Sequence, residues 1–422
     1  MIFHKETDFQ ETEIGRIPSE WEAKRISQIC KVRRGASPRP IGDPSYFSET
    51  GRGWVRIVDV TSSYKYLRST SQYLSPKGES KSVKVETGDL VMSICATIGR
   101  PIIIDIPACI HDGFVWFSQL TRDVSTEFLF YVLQNKERDF VRRRQTGTQG
   151  NLNTTIVGRT SIAIPPFGEQ ENIVRVLSTV DEAIFKTNEI LAKTERLKKG
   201  LMQRLLTRGI GHKEFKDTEI GRIPKEWEVD ALPDLFNIID YRGRTPPFSE
   251  SGVPYIGSDN IRNERIVLDN KRYVSEETYD KYMTRGIPNG GDILFTTEAP
   301  LGEVAIIPRN FRFCFAQRLV ALQCKGAHNS KFLMYMLRSN VVQKQLDGWA
   351  TGTTVEGISA KNMKFVKIPY SEDSDEQGKI AEILSTVDKK LELERNEKAK
   401  LERIKQGLMD LLLTGKIRIR GD

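Results

Sequence analysis

Residues 169–207 read EQENIVRVLSTVDEAIFKTNEILAKTERLKKGLMQRLLT, and residues 376–414 read EQGKIAEILSTVDKKLELERNEKAKLERIKQGLMDLLLT. Aligned at an offset of 207, these 39-residue stretches agree at 19 positions, including LSTVD, GLM and the closing LLT. Neither contains proline, and apolar residues recur at spacings of three, four or their sums. They are Ile173, Leu177, Val180, Ile184, Leu191, Leu201 and Leu205 in the first, and Ile380, Leu384, Val387, Leu391, Leu401, Ile404, Leu408 and Leu412 in the second. That period predicts two long helices with one apolar stripe each, and mixed charges such as Glu195, Arg196, Lys198 and Lys199 on the far side. Pro165 and Pro166 precede the first helix and Pro369 the second, where proline bounds a helix without breaking it. Each helix is about 58 Å long at 1.5 Å per residue, and a lone helix with one stripe needs a partner. Equal length and shared pattern make each the other's partner in an intramolecular coiled coil. The expected direction is antiparallel, because a parallel pair joined over residues 208–216 would crowd two tandem units at one end.

Outward from the helices the duplication continues. Residues 12–22 read TEIGRIPSEWE and residues 218–228 read TEIGRIPKEWE, differing only at Ser19 and Lys225. The 422-residue chain is therefore a tandem repeat of a unit of about 207 residues. Between the anchors Arg34, Gly35, Ser37 and Pro38 fall opposite Arg242, Gly243, Thr245 and Pro246; Gly88 and Asp89 fall opposite Gly291 and Asp292; Thr146, Gly147 and Thr148 fall opposite Thr351, Gly352 and Thr353. Offsets wander, so loops have changed length on one framework. Strand signals at Trp54 to Val60, Asp89 to Ile94, Ile102 to Ile106, Val253 to Ile256, Asp292 to Thr296 and Val304 to Ile307 alternate with turns. Helices are expected at Thr126 to Arg142 and Ser330 to Gln345. The fold class expected is mixed α/β: two similar globular α/β domains separated by two long helices forming an antiparallel intramolecular coiled coil, with pseudo-twofold symmetry.

Composition narrows the function. Hydrophobic residues make up 38% and charged residues 28%, with mean hydropathy −0.41, and no apolar run reaches the ~18 residues of a membrane span. The N-terminus lacks a secretory h-region, so the cytoplasm is the expected location and no membrane partner is expected. The net charge of +8 suits a polyanionic partner. Five scattered cysteines read as reduced core residues, and Cys109, His111 and Asp112 form the one local grouping of metal-ligand types, more simply a strand end. No P-loop and no GxGxxG after a strand is present. Ile164-Pro165-Pro166-Phe167 and Thr245-Pro246-Pro247-Phe248 lack the amide or carboxylate of an amino-methyltransferase motif. Pro233-Asp234 with Asp269-Asn270-Lys271 imitates a nuclease metal site only loosely. No catalytic residue and no metal ligand is assigned.

What the variable regions offer is basic loops. In the first half Arg33, Arg34, Ser37 and Arg39 lie at one turn, and Arg142, Arg143 and Arg144 run into Thr146, Thr148, Gln149 and Asn151. Phosphate-binding cations thus stand beside Gln and Asn, which pair bidentately with adenine in a major groove. In the second half the candidates are Arg242, Arg244, Thr245, Arg262, Arg285, Thr351, Thr353 and Thr354. Two domains with one framework and different loops would read two different half-sites of double-stranded DNA, about one helical turn apart. Arg143→Ala or Gln149→Ala is expected to weaken DNA binding and leave assembly intact.

Taken together, IGRIPSEW and IGRIPKEW, the Gly-x-[Ser/Thr]-Pro turns, GDL and GDI, IPPFGEQ and IPYSEDSDEQ, and the paired LSTVD…GLM…LLT helices resemble the specificity (S) subunits of type I restriction-modification systems over nearly the whole chain. The second helix start departs from the usual Pro-Pro-x-x-Glu-Gln in carrying Pro369-Tyr370 and an acidic insertion. The resemblance implies target recognition domains at residues 1–165 and 211–369 and conserved helical regions at 166–210 and 370–422. It implies a bipartite asymmetric DNA target, two modification (M) subunits docked on the helices, and restriction (R) subunits. No cofactor is implied for this chain; the assembled complex would use S-adenosylmethionine, ATP and Mg. The alternatives are a stand-alone DNA methyltransferase or nuclease, which would bind adenosylmethionine or metal unaided, and a coiled-coil scaffold without sequence preference.

Overall fold

The computed structural model describes residues 2–145, 152–352 and 356–420, with backbone alone at 143–145 and 420. The chain divides into two compact units, Met1–Glu189 with Arg395–Asp422, and Ile190–Glu394. The long helices run Phe167–Arg208 and Ser374–Leu412, 42 and 39 residues, and each contributes one part to either unit. In the first unit Ile173, Val174 and Leu177 share a core with Met409, Leu412 and Leu413, and Asp181 pairs with Lys405. In the second Leu205 and Leu206 share a core with Ile380, Ala381 and Leu384, and Lys198 pairs with Asp388. Numbers rise on one helix as they fall on the other, so the segments run antiparallel within each unit. One stripe position differs from the expected pattern: Ile404 is 42% exposed, while Lys405 next to it is buried.

The repeated motifs meet at the helix starts. Gly15 and Gly221 turn the chain with φ of 97° and 116°, which orders Ile17 and Trp21, or Ile223 and Trp227, into the core. A buried indole N–H needs an acceptor, and Trp21 Nε1 donates to Glu169 Oε2 at 3.0 Å as Trp227 Nε1 donates to Glu376 Oε2 at 3.1 Å. The adjacent glutamine closes backbone valences. Gln170 donates to the carbonyls of Asp123 and Pro165 and accepts from Ser125 N, while Gln377 donates to Ser371 O and accepts from Asn329 N. The acidic insertion at the second helix start therefore leaves the glutamine's role unchanged. Glu169 is further held by Arg418, on a C-terminal strand (Ile417–Arg420) that pairs antiparallel with Ile2–Lys5; in the second unit His212 faces Glu376 at 3.0 Å.

Above each helix start lies a mainly antiparallel sheet. In the first unit the order is Lys31–Arg34, Phe114–Ser118, Leu90–Ser93, Pro101–Ile104 and Tyr66–Leu67, only the last pairing being parallel. In the second it is Phe236–Asp240, Leu319–Cys324, Ile293–Thr296 and Val304–Ile306. A helix with every residue of its central turns buried, Phe128 to Leu133 or Phe332 to Leu337, fills the space beneath. A second sheet adds Ala108–Ile110 parallel to Arg52–Val55 in one unit and Cys314–Phe315 parallel to Val253–Ile256 in the other.

Three local expectations are corrected. The apolar run Trp54 to Val60 is a strand only over Arg52–Val55; Ile57–Ser62 is a helix, because Asp59 caps it by accepting from Arg56 N at 2.8 Å and takes Ser71 N besides. The helix expected over Thr126 to Arg142 is two, Thr126–Asn135 and Glu137–Gln145, and the turn at Lys136 brings Phe140 against Gly99. Likewise Ser330–Leu337 and Asn340–Trp349 are separate, the second capped by Ser339.

Candidate nucleic-acid interface

In each unit, loops from different strands of the main sheet are tied together at one end of it. In the first unit Gly35 N bonds Phe114 O, Ala36 N bonds Ile110 O and Ile94 N bonds Gly113 O, which joins residues 34–39, 94–99 and 110–114. A Cβ at Gly35 would lie 2.1 Å from His111 O, so only glycine permits this approach. The carboxylate of Asp112 then collects the loop: Ser37 Oγ donates to it at 2.6 Å, Arg39 Nη2 at 2.9 Å, and Arg34 Nε donates to the Asp112 carbonyl at 2.8 Å. The Ser37 hydroxyl, with Arg39, holds the Asp112 carboxyl below its ordinary value. Arg33 lies over the Trp116 ring at 5.7 Å, and burial keeps the His111 imidazole below its usual range.

The second unit builds the same frame from other side chains. Thr297 N bonds Arg318 O, Ile358 N bonds Thr297 O, and Arg318 Nε donates to Glu298 Oε1 at 2.7 Å. The matching turns carry Ala96 and Ala299 at φ 53° and 48°, each followed by a glycine, Gly99 or Gly302, at 83° and 80°. Non-glycine residues in the left-handed region cost of order 1–3 kcal/mol and gather at functional sites. Gln317 and Arg318, at φ 25° and 65°, stand at the same edge.

The structure separates the sequence candidates by what they touch. Arg33, Arg34, Arg39 and Arg142 are exposed; Arg34 and Arg39 join the Asp112 loop cluster, while Arg33, next on the same strand, lies over Trp116. Arg242 is committed to the fold: its guanidinium grips Asp240, with Nη2 at 2.6 Å from Oδ2, and Nη1 donates to Ile358 O. Burial works to raise the Asp240 carboxyl, but Arg242 and Arg285 hold it below its ordinary value. Arg285 donates to Asp240 O at 3.0 Å and keeps its side chain at the surface over Tyr241. Arg244 and Thr245 are exposed, and Tyr282 OH, in a ring stacked on Tyr241, anchors Arg244 O at 2.7 Å. Thr351 is exposed and pairs its backbone with Gly357. Arg262 stands on the hairpin Ile261–Arg262 and Arg265–Ile266, beside Ala299 and Pro300. Arg265 and Arg272, other cations of this half, are paired with Glu392 and Asp259. Arg143 and Arg144 have no described side chains, and Thr146, Thr148, Gln149, Asn151, Thr353 and Thr354 lie outside the described residues.

Sequence reading missed Asp112 as an organiser and Gln317, Arg318 and Glu298 as members of the loop cluster. The signal was available: Ala96 and Gly99 stand 203 residues before Ala299 and Gly302, the offset that GDL and GDI already share. Cys109 is buried with its thiol pushed up to about 11 by burial, and among the described residues no group of three or more His, Cys, Asp or Glu is placed to hold a metal ion. Among them no helix is long and apolar enough to cross a membrane.

Comparison with known proteins bears on the same frame. The family model described as the type I restriction modification DNA specificity domain matches residues 18–196 and again 224–403. Among curated proteins, the type I restriction enzyme MjaVIII specificity subunit of Methanocaldococcus jannaschii is 29% identical over 437 residues, covering 100% of this chain and 98% of its own. A putative MjaX specificity subunit of the same organism is 29% identical, covering 99% and 98%. Of solved structures, the type I restriction-modification S subunit from M. genitalium superposes with a TM-score of 0.58 at 14% identity over 93% of this chain and 96% of that one. A chain from a structural study of type I complex assembly and conformational transition gives 0.54 at 19% identity over 95% and 99%. At those identities the two structures speak to the fold alone.

Proposed function

Because this chain belongs to the type I restriction-modification DNA specificity family, we propose that each unit reads one half of a bipartite, asymmetric duplex target through its loop cluster. The observation that carries the reading is one backbone frame presenting two different sets of side chains: Arg34 and Arg39 around Asp112, with Arg33 over Trp116, in one unit, and Arg244, Thr245, Arg285 and Thr351 around Asp240 and Glu298 in the other. Exposed arginines supply phosphate contacts and bidentate contacts to guanine, and threonines and glutamines supply base-edge contacts. The chain contributes recognition, and the chemistry belongs to its partners: two modification subunits carrying S-adenosylmethionine, docked on the long helices, and restriction subunits using ATP and Mg. A +8 net charge is small for a lone DNA-binding chain of this size and suits one that shares phosphate contacts with other subunits.

The test is selection from a random duplex pool by the chain assembled with its modification subunit, read against methylated adenines mapped in the host genome. Two short conserved blocks separated by an unread spacer, coinciding with the methylated sites, are expected. A pool without sequence preference refutes the reading, and tight adenosylmethionine binding by the purified chain alone would favour a stand-alone methyltransferase.

A further inference from the structure

The LSTVD motif of each long helix ends in an aspartate that the recognition surface does not use. Asp181 is buried, its side chain 5% exposed. Its Oδ2 accepts from Tyr131 OH at 2.7 Å, its Oδ1 accepts from Tyr64 OH, and Lys405 Nζ lies 2.8 Å from Oδ1. Lys405 is 10% exposed and also donates to Gln134 Oε1 at 2.7 Å. The second unit repeats the arrangement with the helices exchanged. Asp388 now comes from the second helix and Lys198 from the first, 2.7 Å apart; Tyr335 OH donates to Asp388 Oδ2 at 2.6 Å, and Lys198 reaches Glu264 at 2.8 Å. Asp181 and Asp388, like Lys198 and Lys405, stand 207 residues apart.

Three groups therefore converge in each unit: an acid and a base from opposing helices, and a tyrosine hydroxyl from the core helix of the globule. A leucine-rich stripe alone tolerates sliding by one turn, about 5.4 Å, because residues four apart are equivalent on it. Such a slide would set Asp181 opposite Leu401 or Met409 in place of Lys405, leaving a buried carboxylate unpaired. The tyrosine hydroxyl extends that constraint from the helices to the globule above them.

We propose that Asp181, Lys405 and Tyr131, and correspondingly Asp388, Lys198 and Tyr335, are positioning residues that fix the helix register within each unit and the seating of the recognition globule on it. The triad touches no DNA. It sets where the reading loops stand, so this inference deepens the proposed function, while its primary test needs no DNA.

Spin labels on unnatural residues replacing exposed Glu49 and Glu171, one in the globule and one on the helix of the first unit, report that seating by pulsed dipolar spectroscopy of the full chain. In the otherwise unmodified chain one narrow distance is expected. In the variant Tyr131→Phe, Asp181→Leu, Lys405→Leu, apolar replacement preserves helicity and keeps the melting temperature within about 5 °C, while the distance distribution widens about twofold or splits. An unchanged narrow distribution overturns the proposal. Should that variant fail to fold, exchanging the charges, Asp181→Lys with Lys405→Asp, is expected to recover at least half of the melting temperature lost by either single change; no recovery overturns it equally. In the assembled complex the apolar variant is expected to select the same half-site bases with a less sharply defined spacer. Loss of all sequence preference in the unmodified complex would instead fail the functional reading and leave the distance result standing.

Discussion

Arg418→Met removes one cation from a closed pocket, and the structure sets the size of the loss. The guanidinium donates from Nε to both carboxylate oxygens of Glu169, from Nη2 to Oε2 at 2.8 Å, and from Nη1 to Glu6 at 2.9 Å, and its Nη2 also lies 2.7 Å from Glu20. Arg418 and Glu169 side chains are 8% and 7% exposed, so neither is rescued by water. Methionine fills much of the volume but strands Glu169, among the described residues, with the Trp21 indole as its remaining side-chain donor. Breaking one partner of a buried pair costs about 3–5 kcal/mol. For a unit of this size each kcal/mol lowers the melting temperature by about 2–4 °C, so a fall of about 6–20 °C is expected. Calorimetry combined with tryptophan fluorescence measures it, and the transition displaced should be the one that exposes Trp21. The double variant Arg418→Met, Glu169→Gln should melt higher than the two single losses added together, since no bare charge remains. An Arg418→Met protein that melts within about 2 °C of the unmodified chain would refute the reasoning.

Acid should attack the same pocket. Backbone N–H groups of Asp8 and Thr7, with Arg418, hold the Glu6 carboxyl down to about 2. A depressed carboxyl contributes stability above its ordinary value near 4.5, and that contribution is lost as pH falls toward 2; Glu6→Gln should flatten this part of the pH–stability curve. In the second unit Arg242→Met and Arg244→Ala should separate cleanly: the first lowers stability, because Asp240 is left half-buried without its guanidinium, and the second leaves melting unchanged while reducing the salt slope of DNA binding by about 1. Gly35→Ala is expected to disrupt the Asp112 loop cluster, since its Cβ would overlap the His111 carbonyl, and to lower binding to the first half-site with the second half-site's selection intact.

The helical repeat was legible because a 3.6-residue period and a 207-residue offset are properties of the chain itself. The junctions were less so. Trp54 to Val60 carries β-branched residues and reads as strand, yet the Asp59 carboxylate claims backbone N–H groups on both sides and turns the chain into a helix. Arg242 looked like a free loop cation because nothing in a basic run marks that Asp240, two residues earlier on a strand, will hold it. Asp112 was likewise read only as one member of a weak metal-ligand grouping. It reaches Ser37 and Arg39 across more than 70 residues of sequence, through a strand order that local pattern does not encode. Ile404 and Lys405 exchanged their expected surroundings for a similar reason: burial of the lysine follows from Asp181 and Tyr131 waiting opposite it.

The division of the chain into an uninterrupted unit and one assembled from two separated pieces has a consequence for the order of events during synthesis. Ile190–Glu394 is one continuous segment and can close once it has left the ribosome. The other unit has most of its residues in hand far earlier, yet lacks Lys405, Met409 and Arg418 until the end, and Arg418 meets Glu6 across 412 residues. Contacts that distant in sequence form late, and unfinished apolar surface invites aggregation. The part translated first is thus the last to finish, and Leu177, Asp181 and Trp21 wait in an open pocket until the C-terminal segment returns to cover them.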